Sequence, residues 1–112
     1  MATPDDVRRF ALELPESTEQ QHHGHPDFRV RKKIFATLWP DEGRAVVKLA
    51  VADQQALVQM QPDRFSLGGW AQQGWTNVDL VQIDTDSLHD VIVTAWRNVA
   101  PKTLVRKYDE PG

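Results

Sequence analysis

The sequence predicts an α+β domain of two layers, a mostly antiparallel sheet covered by helices on one face. Three observations predict it. A stripe of apolar residues at helical spacing stands near each end of the chain. Alternating apolar runs bounded by turn residues fill the middle. The order is mixed: helix, three strands, helix, one or two strands, helix. At 112 residues the chain fits a single domain over residues 1–112.

Each element has its own justification. Thr3 is a good helix N-cap, Pro4 suits the first helical position, and Asp5 and Asp6 favour the positive end of a helix. Val7, Phe10, Ala11 and Leu14 give that helix its apolar stripe, and Pro15 ends it. Residues 16–27 contain no apolar side chain other than Pro26 and read as a surface loop. Phe28 and Val30 alternate with Arg29 and Arg31 as in a half-buried strand, and Lys32-Lys33 sits in a tight turn. In the next strand Ile34, Ala36 and Leu38 share one face, and Phe35, Thr37 and Trp39 the other. Pro40-Asp41-Glu42-Gly43 is a turn. A third strand over residues 45–51 places Val47, Leu49 and Val51 together. Strands so close in sequence favour an antiparallel meander.

Asp53 then caps a short helix carrying Ala56, Leu57 and Met60. Residues 63–74 form a loop or a short glycine-broken strand. Residues 75–83 read as a strand with Thr76, Val78 and Leu80 on one face. Thr85 or Asp86 opens the last clear helix, whose face of Leu88, Val91, Ile92, Ala95, Trp96 and Val99 is broad enough to cover a sheet. Pro101 closes it, and residues 102–112 form a polar, partly mobile tail on which Leu104 and Val105 can dock.

Composition excludes several classes. There is no cysteine, so disulfides, thiolate zinc sites and a cysteine nucleophile are out, and a reducing cytoplasm is the expected location. No apolar run approaches a membrane span, and the start, MATPDDVRRF, lacks a secretory apolar core. The net charge of −3 argues against indiscriminate nucleic-acid binding. That charge is unevenly spread: residues 29–48 carry six basic and two acidic groups, and residues 49–96 one basic and six acidic. The basic block is Arg29, Arg31, Lys32, Lys33, Arg44 and Lys48, with Lys102, Arg106 and Lys107 near the C-terminus. A basic two-stranded ribbon can lie along phosphates. It can equally be a charged edge that prevents strand pairing between molecules.

No catalytic pattern is present, and a non-enzymatic domain without a cofactor is expected. Nothing resembles a nucleophile elbow, and Gly68-Gly69 lacks the Lys-Ser/Thr that completes a phosphate loop. His22, His23, His25 and Asp27 have metal-ligating chemistry but no fixed spacing, so a polar loop is the plainer reading. Trp70 and Trp75 flank a glycine-containing turn, where they can line a pocket, stack on a base, or cap the core. The expected partners are therefore DNA through the basic hairpin, or another protein or small ligand through the Gly/Trp loop and sheet face, with no membrane.

The segments Phe28-Arg29-Val30-Arg31-Lys32-Lys33-Ile34-Phe35-Ala36, Gly74-Trp75-Thr76-Asn77-Val78-Asp79-Leu80, and Ala95-Trp96-Arg97 with Ala100-Pro101-Lys102 resemble, in order, the MmcQ/YjbR family of small bacterial proteins. Leu14-Pro15-Glu16 and Gly24-His25-Pro26 suit the same family. The resemblance implies the order α-β-β-β-α-β-β-α, similar to secretion-chaperone-like folds and comparable with frataxin, and it makes residues 65–70 a fourth strand. It implies a DNA-binding label based on a double-wing shape and brings no catalytic motif. Lys33 matches the family's recurrent lysine, and Lys32 stands where the pattern leads one to expect glycine. The frataxin comparison also directs attention to Asp5, Asp6, Glu13 and Glu16 as an acidic, metal-handling ridge.

Overall fold

Local rules start the chain as expected. In this computed structural model, which describes residues 1–110, the Thr3 hydroxyl accepts from the Asp6 N–H at 3.2 Å and the Asp6 carboxylate accepts from the Thr3 N–H at 3.0 Å. That reciprocal cap opens α1 (Pro4–Leu12). The chain continues through β1 (Ser17–His22), β2 (His25–Val30), β3 (Lys33–Trp39), β4 (Arg44–Lys48), α2 (Val51–Met60), β5 (Phe65–Leu67), β6 (Trp75–Asp79), α3 (Thr85–Val99) and α4 (Lys102–Asp109). The strands form one open sheet in the order β1-β2-β3-β4-β6-β5, every neighbouring pair antiparallel. The α+β class holds, with an extra strand, β1, between the first helix and the three expected strands, and an extra helix, α4, at the end.

Apolar burial explains the two layers. Val7 and Ala11 of α1 and Leu88, Val91, Ile92, Ala95 and Trp96 of α3 are buried against Phe28, Val30, Phe35, Leu38, Val47 and Val78 from the sheet. Trp96 is fully enclosed, and its indole N–H donates to the Pro15 carbonyl at 3.2 Å, tying α3 to the end of the first helical segment. No helix among the described residues is long and apolar enough to cross a membrane.

Residues 16–27 are not a loop. They contain β1, the turn at His23-Gly24, and the first half of β2. β1 is an edge strand held by hydrogen bonds to β2, and none of its side chains is fully buried. An edge strand of this kind needs no apolar periodicity, so its sequence carries none. The turn joining β2 to β3 lies at Arg31-Lys32, one residue earlier than expected, because Val30 pairs with Lys33. Arg31 and Lys32 have φ of 51° and 70°, as a two-residue hairpin turn requires. Lys32 thus adopts the backbone conformation that glycine occupies most easily.

The alternation in β3 is broken by a bulge. Phe28 pairs with Ala36 but Arg29 pairs with Ile34, leaving Phe35 as the extra residue. Phe35, Ala36 and Leu38 all face the core, and Ile34, Thr37 and Trp39 line the opposite face. Ile34 is therefore not on the Ala36 face. Val51 opens α2 rather than closing a strand, Ala50 occupies the N-cap position, and Asp53 lies in the first turn without capping. Gln54 anchors α2 by donating to the carbonyls of Ala71 and Trp75 at 3.0 and 3.1 Å. Met60 is exposed.

β6 stops at Asp79, whose carboxylate accepts from the Val81 N–H at 3.0 Å and turns the chain. α3 opens at Thr85, one of the two expected starts, and Asp84 caps it. The polar tail is helical over α4: Leu104 is buried, Tyr108 lies 5.2 Å from the Trp96 ring, and Arg97 pairs with Asp109. Residues 111–112 of that tail lie outside the described residues.

Candidate functional site

Strand register brings distant polar residues into transverse rows on the sheet face opposite α1 and α3. One row is formed by the pairs Gln20–Asp27, Asp27–Thr37, Thr37–Val46, Val46–Asn77 and Asn77–Ser66. Because directly paired residues point the same way, this row crosses all six strands on one face. Next to it His22 pairs with His25, and Trp39 with Arg44. The twisted sheet and the loop before β6 enclose an open bay of about 550 Å³ over these rows. Trp39, Trp70 and Trp75 line it, together with Arg44, Asn77 and the three histidines of the β1–β2 hairpin.

The bay has one rigid wall. His25 stacks on Trp39 with ring centroids 3.6 Å apart, and the Arg44 guanidinium lies 4.4 Å from the centre of the same indole. The Trp39 N–H donates to the Thr37 hydroxyl at 3.1 Å, and Arg44 donates to Asn77 Oδ1 at 3.2 Å. Arg44 is further held by Glu42 at 2.9 Å. On the other wall, Trp70 is 74% exposed and has φ of 64°. A bulky residue held at positive φ is strained, and here burial does not offset the strain. Gly74 has φ of 96°, and a Cβ there would meet the Leu49 carbonyl oxygen at 2.0 Å. That glycine lets the Leu49 N–H reach the Gly74 carbonyl at 2.9 Å and so sets where Trp75 enters the sheet.

Asp27, at the rear of the His22–Arg29 cluster, is wholly buried. Arg29 donates to it twice, at 2.8 and 3.1 Å, and His22 Nδ1 lies 2.6 Å from Oδ2. An ionised carboxylate only accepts, so the His22 proton sits on Nδ1. Hydrogen bonding from Arg29 and, to a lesser degree, from His22 outweighs burial and holds the Asp27 carboxyl below the ordinary aspartate range. His22 and His25 are thus engaged separately, and among the described residues no three His, Asp or Glu side chains gather as a metal site. The acidic residues of the first helix are likewise dispersed: Asp6 serves the cap, Asp5 meets Arg8, and Glu16 meets Arg31.

The basic hairpin divides into paired and free cations. Arg29 is committed to Asp27, and Arg31 to Glu16 through two hydrogen bonds. Lys32, Lys33 and Lys48 make no ion pair among the described residues and line a groove of about 450 Å³ with Ile34, Trp75 and Asn98. The Lys48 ammonium lies 5.6 Å from the centre of the Trp75 ring. Lys102, Arg106 and Lys107 are carried on α4. Arg31, and more weakly Lys107, hold the Glu16 carboxyl below its ordinary range. Trp70 and Trp75, paired in the sequence reading, do meet in one bay. The sequence places Arg44 in the basic block and His25 in the histidine cluster, but nothing in it joins them, or Trp39 and Asn77, to the tryptophan pair. Their signal was register, which becomes legible only once the strands are paired.

A family model described as YjbR matches residues 12–98. Among solved structures, Deinococcus radiodurans protein DR2400, described as having a DUF419 domain, is similar with a TM-score of 0.81 at 21% identity, covering 99% of this chain and 91% of that one. At that identity the likeness speaks to the fold alone. No curated protein matches the chain.

Proposed function

The chain belongs to the YjbR family, and from that premise we propose that it is a non-enzymatic binding domain that takes a planar ligand on the uncovered sheet face. Membership brings the fold, and the residues of the bay supply the chemistry. The single observation that carries the reading is Trp70: a large indole, three-quarters exposed and held at positive φ, stands over a bay whose other wall already contains Trp39 and Arg44. The probe is 1-anilinonaphthalene-8-sulfonate, which is planar and anionic. Its fluorescence should rise with the folded protein, and the rise should fall away in Trp70→Ala and Arg44→Gln. No rise with folded wild-type protein removes the reading.

DNA binding through the basic hairpin is a second reading, supported by the grouping of Lys32, Lys33 and Lys48 in one groove. Arg29 and Arg31 contribute little to it, since their charges are already matched. Three or four phosphate contacts predict weak, steeply salt-dependent affinity for duplex DNA. Fluorescence anisotropy with a labelled duplex at low salt tests it, and charge reversal of the three lysines should abolish the signal.

A further inference from the structure

The bay and the lysine groove are not separate surfaces. Ile34 and Trp75 line both, so Trp75 forms the floor between them. Along this path the protein has segregated its charge. The net charge is −3, with 16 Asp and Glu in the chain, yet not one lines either depression. The path instead carries Lys48, Lys33 and Lys32, with three histidines and Arg44, whose charge Glu42 matches from outside, at the bay end. A path that is aromatic at one end and cationic at the other fits a ligand with flat rings and repeated anionic groups.

We infer that this path binds single-stranded nucleic acid, with an unpaired base stacked in the bay on Trp70 and Trp75 and the neighbouring phosphates over Lys48, Lys33 and Lys32. The inference rests on the bay being a binding face and names its ligand class. Three features select this class. Trp39 is already covered by His25 and Arg44, which leaves Trp70 and the bay side of Trp75 as stacking surfaces. Duplex bases are stacked on one another and present only their edges, so a recessed tryptophan wall cannot reach their faces. A lone mononucleotide would leave part of the lysine groove empty, because the groove runs on past Trp75 to the Arg31-Lys32 turn. Arg44 is aimed across the bay by Asn77 and by Glu42 from outside it, where it can meet a base edge or a phosphate.

The test uses the full chain and a fluorescein-labelled oligothymidylate of about twelve nucleotides, against the same strand annealed to its complement, at about 50 and 200 mM salt. The single strand should bind at least roughly ten-fold more tightly than the duplex and quench the tryptophan emission. Trp70→Ala should weaken single-strand binding by about ten-fold at unchanged unfolding midpoint. The combined Lys32→Gln, Lys33→Gln and Lys48→Gln variant should flatten the logarithmic salt slope by about two, as expected for three single-strand phosphate contacts. Equal affinity for strand and duplex, indifference to Trp70→Ala, or tighter binding of poly-glutamate would each overturn the inference. No oligonucleotide binding with the anilinonaphthalene signal intact would overturn it while leaving the bay as a binding face. Loss of both signals would remove both readings.

Discussion

Replacing Asp27 by asparagine puts the polar interior of the open face to a quantitative test. The carboxylate is 0% exposed and accepts from three donor atoms, Arg29 Nε, Arg29 Nη2 and His22 Nδ1. Asparagine keeps the shape but turns one oxygen into a donor. If the amide nitrogen replaces Oδ1 it faces Arg29 Nε, and if it replaces Oδ2 it faces Arg29 Nη2 and His22. His22 can relieve one clash by moving its proton, but no orientation satisfies both nitrogens of Arg29. Removing one partner from a fully buried ion pair costs about 3–5 kcal/mol. Here the Arg29 and His22 side chains are 25% and 39% exposed and can recover some water, so the expected loss is about 2–3 kcal/mol. For a domain of this size that lowers the melting temperature by roughly 10 °C.

Urea unfolding followed by tryptophan emission measures the loss as a shift in midpoint at unchanged slope. The pH dependence supplies a second check. Asp27 is held below its ordinary value, so its stabilisation is fully present above about pH 4 and disappears as pH falls through the depressed value. The gap between wild type and Asp27→Asn should therefore close below about pH 4, as the carboxyl takes up its proton. A loss under about 0.5 kcal/mol at pH 7, or a gap that fails to narrow below about pH 4, would refute this account of the cluster.

Four further outcomes follow from the same geometry. Gly74→Ala should cost more than about 3 kcal/mol or prevent folding, since its Cβ meets the Leu49 carbonyl oxygen. Gly24→Ala, also at positive φ but with open space around it, should cost only about 1 kcal/mol; thermal melts of the pair compare conformational strain alone with strain plus collision. Trp70→Gly should leave stability unchanged or raise it by up to about 1 kcal/mol, because the side chain is exposed and the backbone is in a conformation glycine prefers. Trp96→Ala should lose about 3–5 kcal/mol by chemical denaturation, as it empties the centre of the α3 face and breaks the bond to Pro15.

The sequence by itself determined the α+β class, the cap at Thr3, the apolar faces of α1 and α3, and the burial of Trp96. Each of these depends on residues a few positions apart along one element, where helix and strand periods act directly. The tertiary structure decided the rest. β1 is a strand because β2 satisfies its backbone groups, and its polar side chains record nothing of that. Phe35 and Ile34 exchange faces through a bulge that exists only against β2. The bay joins residues from five strands and the loop before β6, and its chemistry lies in which residues stand opposite one another. Arg29 and Arg31 looked like free cations in the chain and are half of two ion pairs in the fold, because charge is neutralised by neighbours in space.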